Sequence, residues 1–204
     1  MDFSGTASSY LAKLVGTLQM VDHHAIDHAL SLIYTAWQNE NQVIVFGNGG
    51  SAMTAQHYIT DWNKSIYLST QKPFHGRCLT ENMGLITAYA NDVSYYDVFI
   101  EQLKPILKPN DLVIGISGSG NSENVLRAIR YANEHKAVTL GICGYDGGKL
   151  KNLAQHQVWV NVNDMQLSED IHLIFGHIVM QKICGYLNPP KISIQTAEIK
   201  LVNA

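Results

Sequence analysis

Two loops and two groups of titratable residues are where this 204-residue chain could do chemistry. The loops are Gly47-Asn48-Gly49-Gly50-Ser51 and Ser117-Gly118-Ser119-Gly120-Asn121-Ser122. Glycines let backbone N–H groups approach a ligand, hydroxyls donate hydrogen bonds, and the N-terminus of a following helix favours an anion. The composition points to a phosphate held by Ser117, Gly118, Ser119 and Ser122, with the ligand's polar body near Asn48, Gly49, Gly50 and Ser51. Plain strand-to-helix turns with Ser and Asn as N-caps are the competing explanation. The clustering of Ser117, Ser119 and Ser122 around Gly118 and Gly120 weighs against it. Neither loop fits the dinucleotide pattern GxGxxG or the GxxxxGK[ST] loop, and no lysine follows to reach a γ-phosphate. A small phosphorylated molecule is therefore favoured over a nucleotide.

His57 lies on the helix expected after the first loop, with Asp61 four residues on. That spacing puts both side chains on one helix face. Such a pair can bind a divalent metal or transfer protons, and a helix-surface ion pair explains it equally simply. The last helix carries Glu169, His172 and His177. Glu169 and His172 can share a face. His177 falls about 80° round the helix from Glu169 and roughly 12 Å further along its axis. If both serve one site, a second subunit is expected to supply one of them. Flanked by Gly176 and Ile178, His177 could equally be a buried or interface histidine. His23, His24 and His28 read as surface or interface residues, and His75, His135 and His156 lie in polar, turn-like contexts.

The elements that must position these residues alternate in type. Residues 8–39 have helical periodicity with a break near Met20 to His24. Strands are expected at Gln42 to Phe46, Leu112 to Ile116, Val138 to Ile142 and Val158 to Val162, with a further short one around Arg77 to Thr80. Helices are expected at Ala52 to Trp62, Glu123 to Glu134 and Ser168 to Tyr186, the last stopped by Asn188-Pro189-Pro190. This alternation implies βαβ units and a mostly parallel sheet. The expected fold is α/β: a three-layer α-β-α sandwich, flavodoxin-like or Rossmann-like, with an N-terminal helical extension. Ligands of such sheets bind beyond the carboxyl ends of the strands. Residues 191–204 could form an edge strand or an ordered arm.

Composition narrows the class. The net charge of -3, from 14 Lys+Arg against 17 Asp+Glu, offers no basic excess for a nucleic-acid backbone. No run of apolar residues is long enough for a membrane span, and no signal-peptide pattern opens the chain. Three well-separated cysteines suit a reducing cytoplasm rather than a disulfide framework. The charged fraction of 15% is low for a soluble chain and suggests that self-association covers part of the surface.

The stretches VIVFGNGGSAMTAQHYITD, AYANDVSYYDVF, DLVIGISGSGNSENVLRAI and GYDGGKL, followed by the helix with Glu169 and His177, occur in that order. Together they resemble the sugar isomerase (SIS) domain, and within it the phosphoheptose isomerase family. The resemblance spans the chain from the N-terminal helices to about Tyr186. It implies residues 1–40 as oligomerisation helices, 41–187 as the phosphosugar-binding domain and 188–204 as a tail. It also implies a homotetramer with active sites between subunits and one Zn²⁺ per site. The implied reaction converts sedoheptulose 7-phosphate to D-glycero-D-manno-heptose 7-phosphate.

Carried over by motif, Asn48, Gly49, Gly50 and Ser51 match the family's first substrate loop. Asn91 and Asp92 match its Asn-Asp pair, and Ser117, Gly118, Ser119 and Ser122 match its phosphate loop. His57 matches a metal ligand, and His177 a ligand or acid/base. Two positions depart from the pattern. The catalytic glutamate is Asp61 here, and a glutamine at the start of the last helix is Glu169. The resulting metal set is His57, Asp61, Glu169 and His177, with Asp61, Glu169 and His177 as catalytic candidates. Ala52 stands where family enzymes often carry His. A phosphosugar-binding regulator that associates with a replication initiator, and an isomerase of another sugar phosphate, are the alternatives; His177 favours an enzyme.

Overall fold

A computed structural model describes residues 3–187. The tail 188–204, including the expected edge strand or arm, lies outside the described residues. The elements run α1 (Thr6–Met20), α2 (His23–Gln38), β1 (Val43–Gly47), α3 (Gly50–Asp61), α4 (Tyr67–Thr70), β2 (Gly76–Cys78), α5 (Met83–Asp92), α6 (Val98–Leu103), β3 (Leu112–Ser117), α7 (Glu123–Glu134), β4 (Val138–Cys143), α8 (Leu150–Leu153), β5 (His156–Trp159) and α9 (Met165–Ile183). A π-helical turn, Trp62–Ile66, joins α3 to α4, and a 3₁₀ turn, Tyr95–Asp97, precedes α6.

All strand pairs are parallel, in the order β2-β1-β3-β4-β5. The central strands are buried on both faces, as continuous apolar runs require. Val43 and Val45 face a core shared with Ile33 and Trp37 of α2, Tyr58 of α3 and Phe175 of α9. Ile44 and Phe46 face the opposite core, with Phe99 of α6 and Ile129 of α7. The period-two alternation of one strand thus fills both layers of an α-β-α sandwich.

The strand order reverses at β1, so β1 and β3 are neighbours whose following helices pack on opposite faces. That is the switch point at which open α/β sheets bind ligands. The register pairs Gly47 with Ile116, so the loop after each strand emerges beside the other.

Several boundaries differ from those the sequence suggests. The last helix begins at Met165, because the Asp164 carboxylate accepts hydrogen bonds from the backbone N–H groups of Gln166 and Leu167 and caps it there. The last strand spans His156–Trp159 rather than Val158 to Val162. Val160 N–H still donates to Cys143 at 2.8 Å, but the chain beyond curves to let Tyr145 N–H reach the Val162 carbonyl. Helix α5 has no sequence signature because none of its residues is fully buried. Its start is set by the Asn82 side chain, which accepts from Leu85 N–H.

Candidate active site

Helix α3 carries the first cluster. Its inner face, Ala52, Ala55, Tyr58 and Ile59, is buried against the sheet and α9. His57 and Asp61 therefore project along its outer edge, towards α9. The two helices lock together on their buried side. Trp62 Nε1 donates to the Gly176 carbonyl at 3.0 Å, and the Tyr58 hydroxyl donates to the His172 carbonyl. Tyr58 also stacks on Trp62, with ring centroids 4.8 Å apart. Burying these two aromatics contributes roughly 2–3 kcal/mol each.

That packing brings His177 of α9 onto the His57–Asp61 edge. The Nε2 atoms of His57 and His177 lie 2.9 Å apart. Asp61 Oδ2 is 3.3 Å from His57 Nε2 and 3.9 Å from His177 Nε2. One donor atom from each residue lies within 4.8 Å of the others. Two imidazole nitrogens at this distance must share a proton or face a common cation. Two imidazoles and a carboxylate are the donor types that zinc accepts, so the residues fit a divalent metal.

Glu169 stands apart from this group. Its carboxylate lies against Gly50, where an added Cβ would come within 2.7 Å of Oε1. It thus sits at the first turn of α3, beside the Asn48–Ser51 loop, about two helical turns from His57 along α3. The group of His57, Asp61 and His177 assembles within one chain, without help from a second subunit.

The second loop is bound to the residues that follow β4. Gly144 N–H donates to the Gly118 carbonyl at 2.8 Å, and Leu150 N–H donates to the Gly120 carbonyl at 2.9 Å. Gly120 has φ +65° and abuts the Gly147 carbonyl, so a side chain fits there neither conformationally nor sterically. Ser117 is buried, its hydroxyl 3.1 Å from that of Ser122, while Ser119 is exposed. A cavity of about 580 Å³, lined by Ser119, Asn121, Tyr145, Asp146, Asn161, Asn163 and Met165, opens beside this loop. Its size suits a small polar ligand. The chain's Asn91 and Asp92 end α5, with the Asn91 amide donating to Asp92 Oδ1 at 2.7 Å. Both are exposed.

Two residues at this site lie within the stretches that carry the family resemblance but were not singled out as site residues. Asn124, on the first turn of α7, exchanges two amide hydrogen bonds with Asn48, at 2.8 and 3.0 Å. The Tyr95 hydroxyl donates to Asn48 Oδ1 at 2.9 Å. Asn124 lies two residues beyond the SGSGNS serines, which is the one signal that could have marked it.

Other reactive groups are silenced by burial. Desolvation pushes the Cys143 thiol up to about 12, leaving no thiolate near neutrality. Burial lowers the His172 imidazole to about 4, with the Cys143 backbone opposing weakly, so His172 is neutral at pH 7.

The SIS domain model matches residues 9–144 of the chain. The phosphoheptose isomerase of Aliarcobacter butzleri is 34% identical over 178 residues, covering 87% of this chain and 92% of the relative. A probable phosphoheptose isomerase of Thermoplasma acidophilum is 38% identical over 151 residues, covering 74% of this chain and 82% of the relative. The solved structure of a phosphoheptose isomerase from Neisseria gonorrhoeae superposes with a TM-score of 0.82 at 24% identity, over 90% of this chain and all of that one. The last comparison bears on the fold alone.

Proposed function

The chain belongs to the phosphoheptose isomerases, sugar-phosphate isomerases of the SIS-domain proteins, and on that premise we propose that it converts sedoheptulose 7-phosphate to D-glycero-D-manno-heptose 7-phosphate. The observation that carries the residue assignment is the meeting of His57 and Asp61 of α3, the helix that follows the switch-point strand β1, with His177 of α9.

In this reading Ser117, Gly118, Ser119 and Ser122 hold the phosphate by hydroxyl and backbone donors. Asn48, Gly49, Gly50, Ser51, Asn91 and Asp92 hold the sugar. A carboxylate removes the proton on the carbon next to the carbonyl and returns it to the neighbouring carbon through a cis-enediol. Asp61, set against two imidazoles, is the first candidate for that base and Glu169 the second. His177 moves the proton between the two oxygens, so the reaction conserves all atoms and is redox-neutral overall. A divalent ion, Zn²⁺ by donor type, would be held by His57, Asp61 and His177, with Glu169 joining only if its side chain left Gly50, and when bound would polarise the substrate carbonyl. A residue that coordinates it must dissociate, or pass the proton through a water, to act as acid or base.

The N-terminal helices, residues 1–40, serve oligomerisation in this reading, and the catalytic unit is a homotetramer. Leu11, Val15 and Met20 of α1 are exposed, and a groove of about 540 Å³ between α1, α2 and α9 is lined by Val15, Leu18, Ile174 and Ile178, which supports an apolar subunit contact. Three free cysteines suit the cytoplasm, and no helix among the described residues is long and apolar enough to cross a membrane. The test is direct. Purified protein given sedoheptulose 7-phosphate should form an aldose phosphate, and Asp61→Ala and His177→Ala should abolish turnover. Full activity in both variants, or sugar-phosphate binding without turnover in the parent, overturns the assignment.

A further inference from the structure

The orientation of the Asn48 amide is not free. Val125 N–H donates to Asn124 Oδ1 at 2.9 Å, and a backbone N–H can only donate. Asn124 Oδ1 is thereby fixed as an acceptor, and its Nδ2 must face Asn48. Asn48 Oδ1 then accepts from Asn124 Nδ2 at 3.0 Å and from the Tyr95 hydroxyl at 2.9 Å. A carbonyl oxygen has two lone pairs, and here both are used. On the other side, Asn48 Nδ2 gives one hydrogen to Asn124 Oδ1 at 2.8 Å. One N–H is left for a ligand.

The turn that presents Tyr95 is itself held in place. Ser94 caps it through Tyr96 N–H. Arg127 of α7 pairs with Asp97 at 2.8 Å and lies over the Tyr96 ring, 5.4 Å from its centroid. Asn124 and Arg127 share α7, so one helix fixes both ends of the relay that orients Asn48. Tyr95 is otherwise exposed, and among the described residues its hydroxyl makes no other hydrogen bond.

We propose that Tyr95 is a positioning residue for the isomerase. Its hydroxyl fills the second lone pair of Asn48 Oδ1, so that Asn48 meets the sugar phosphate only as a donor, to a ligand oxygen. This rests on the reading that the Asn48–Ser51 loop binds substrate. Without the hydroxyl, the Asn48 oxygen regains a free acceptor site that a water or a donor group of the sugar can take, while the amide stays oriented by Asn124.

Tyr95→Phe removes only that hydroxyl from an exposed ring. The loss of one such hydrogen bond should raise KM for sedoheptulose 7-phosphate about three- to tenfold, with kcat within about twofold, because the contact serves ground and transition states alike. The melting temperature should stay at the parent's value. Asn48→Asp, which replaces the donor by an acceptor, should raise KM further. An unchanged KM in Tyr95→Phe, or a lowered melting temperature with unchanged KM, overturns the positioning role. Asn48→Ala separates the two readings. If it raises KM while Tyr95→Phe does not, only the role of Tyr95 falls; if it leaves KM unchanged, substrate binding by this loop falls with it.

Discussion

Gly176 of α9 lies so close to the Tyr58 ring of α3 that a Cβ at that position would overlap the ring edge. The absence of a side chain there lets the two helices approach, and His177 is the next residue. The distance between His57 and His177 therefore depends on a glycine whose part is to let the two helices approach.

Gly176→Ala is the sharpest test of that dependence. Overpacking against a buried aromatic should destabilise the fold by about 2 kcal/mol. The forced separation should also cost activity beyond what stability explains, since small displacements of reacting groups are expensive. Denaturant melts and steady-state kinetics on the same preparation check both.

His57→Ala and His177→Ala should each lower bound divalent metal, measured by elemental analysis of the purified protein. Chelation of the parent should reduce turnover, and added Zn²⁺ should restore it. Metal retained in full by both variants would count against the shared site.

The two carboxylates should respond differently. Asp61→Asn keeps the volume and removes the basicity, and should lower kcat by about 10²–10⁴. Glu169→Gln introduces the residue that the family resemblance expects at this position, and should retain most activity. The reverse ranking in kcat would transfer the role of base to Glu169.

The second loop should fail through its backbone. Gly120→Ala places a methyl group against the Gly147 carbonyl at a positive φ. KM for the sugar phosphate should rise at least about tenfold, since the loop must open to relieve the clash. Inorganic phosphate, tested as a competitive inhibitor, should weaken in parallel.

Stability should fall in acid through His172. Its side chain is buried, and desolvation lowers its pKa from 6.5 to about 4. The folded state thus binds fewer protons than the unfolded chain. Its contribution is unchanged above the unfolded pKa, declines as pH falls through the interval down to the folded one, and amounts to about 3 kcal/mol when fully lost. His172→Gln, which does not titrate, should lose less stability than the parent in urea melts between about pH 7 and about pH 4.5.

The sequence by itself determined the layered α/β architecture, because continuous β-branched runs separated by amphipathic stretches have few other ways to bury their apolar surface. It also marked the two Gly- and Ser-rich loops after β1 and β3, whose composition is a local requirement, and it paired His57 with Asp61, since four residues on a helix is a local distance. It did not reveal α5, whose residues are never fully buried, or the start of α9 at Met165, three residues ahead of the expected one, where Asp164 caps it. Above all, spacing along one chain could not join His177 to His57, which are 120 residues apart, nor aim the Tyr95 hydroxyl at Asn48. Those contacts exist because α9 packs on α3 at Gly176 and because the turn at Tyr95 is pinned to α7 by Arg127. Packing between elements sets such distances, and the tertiary structure alone decided them.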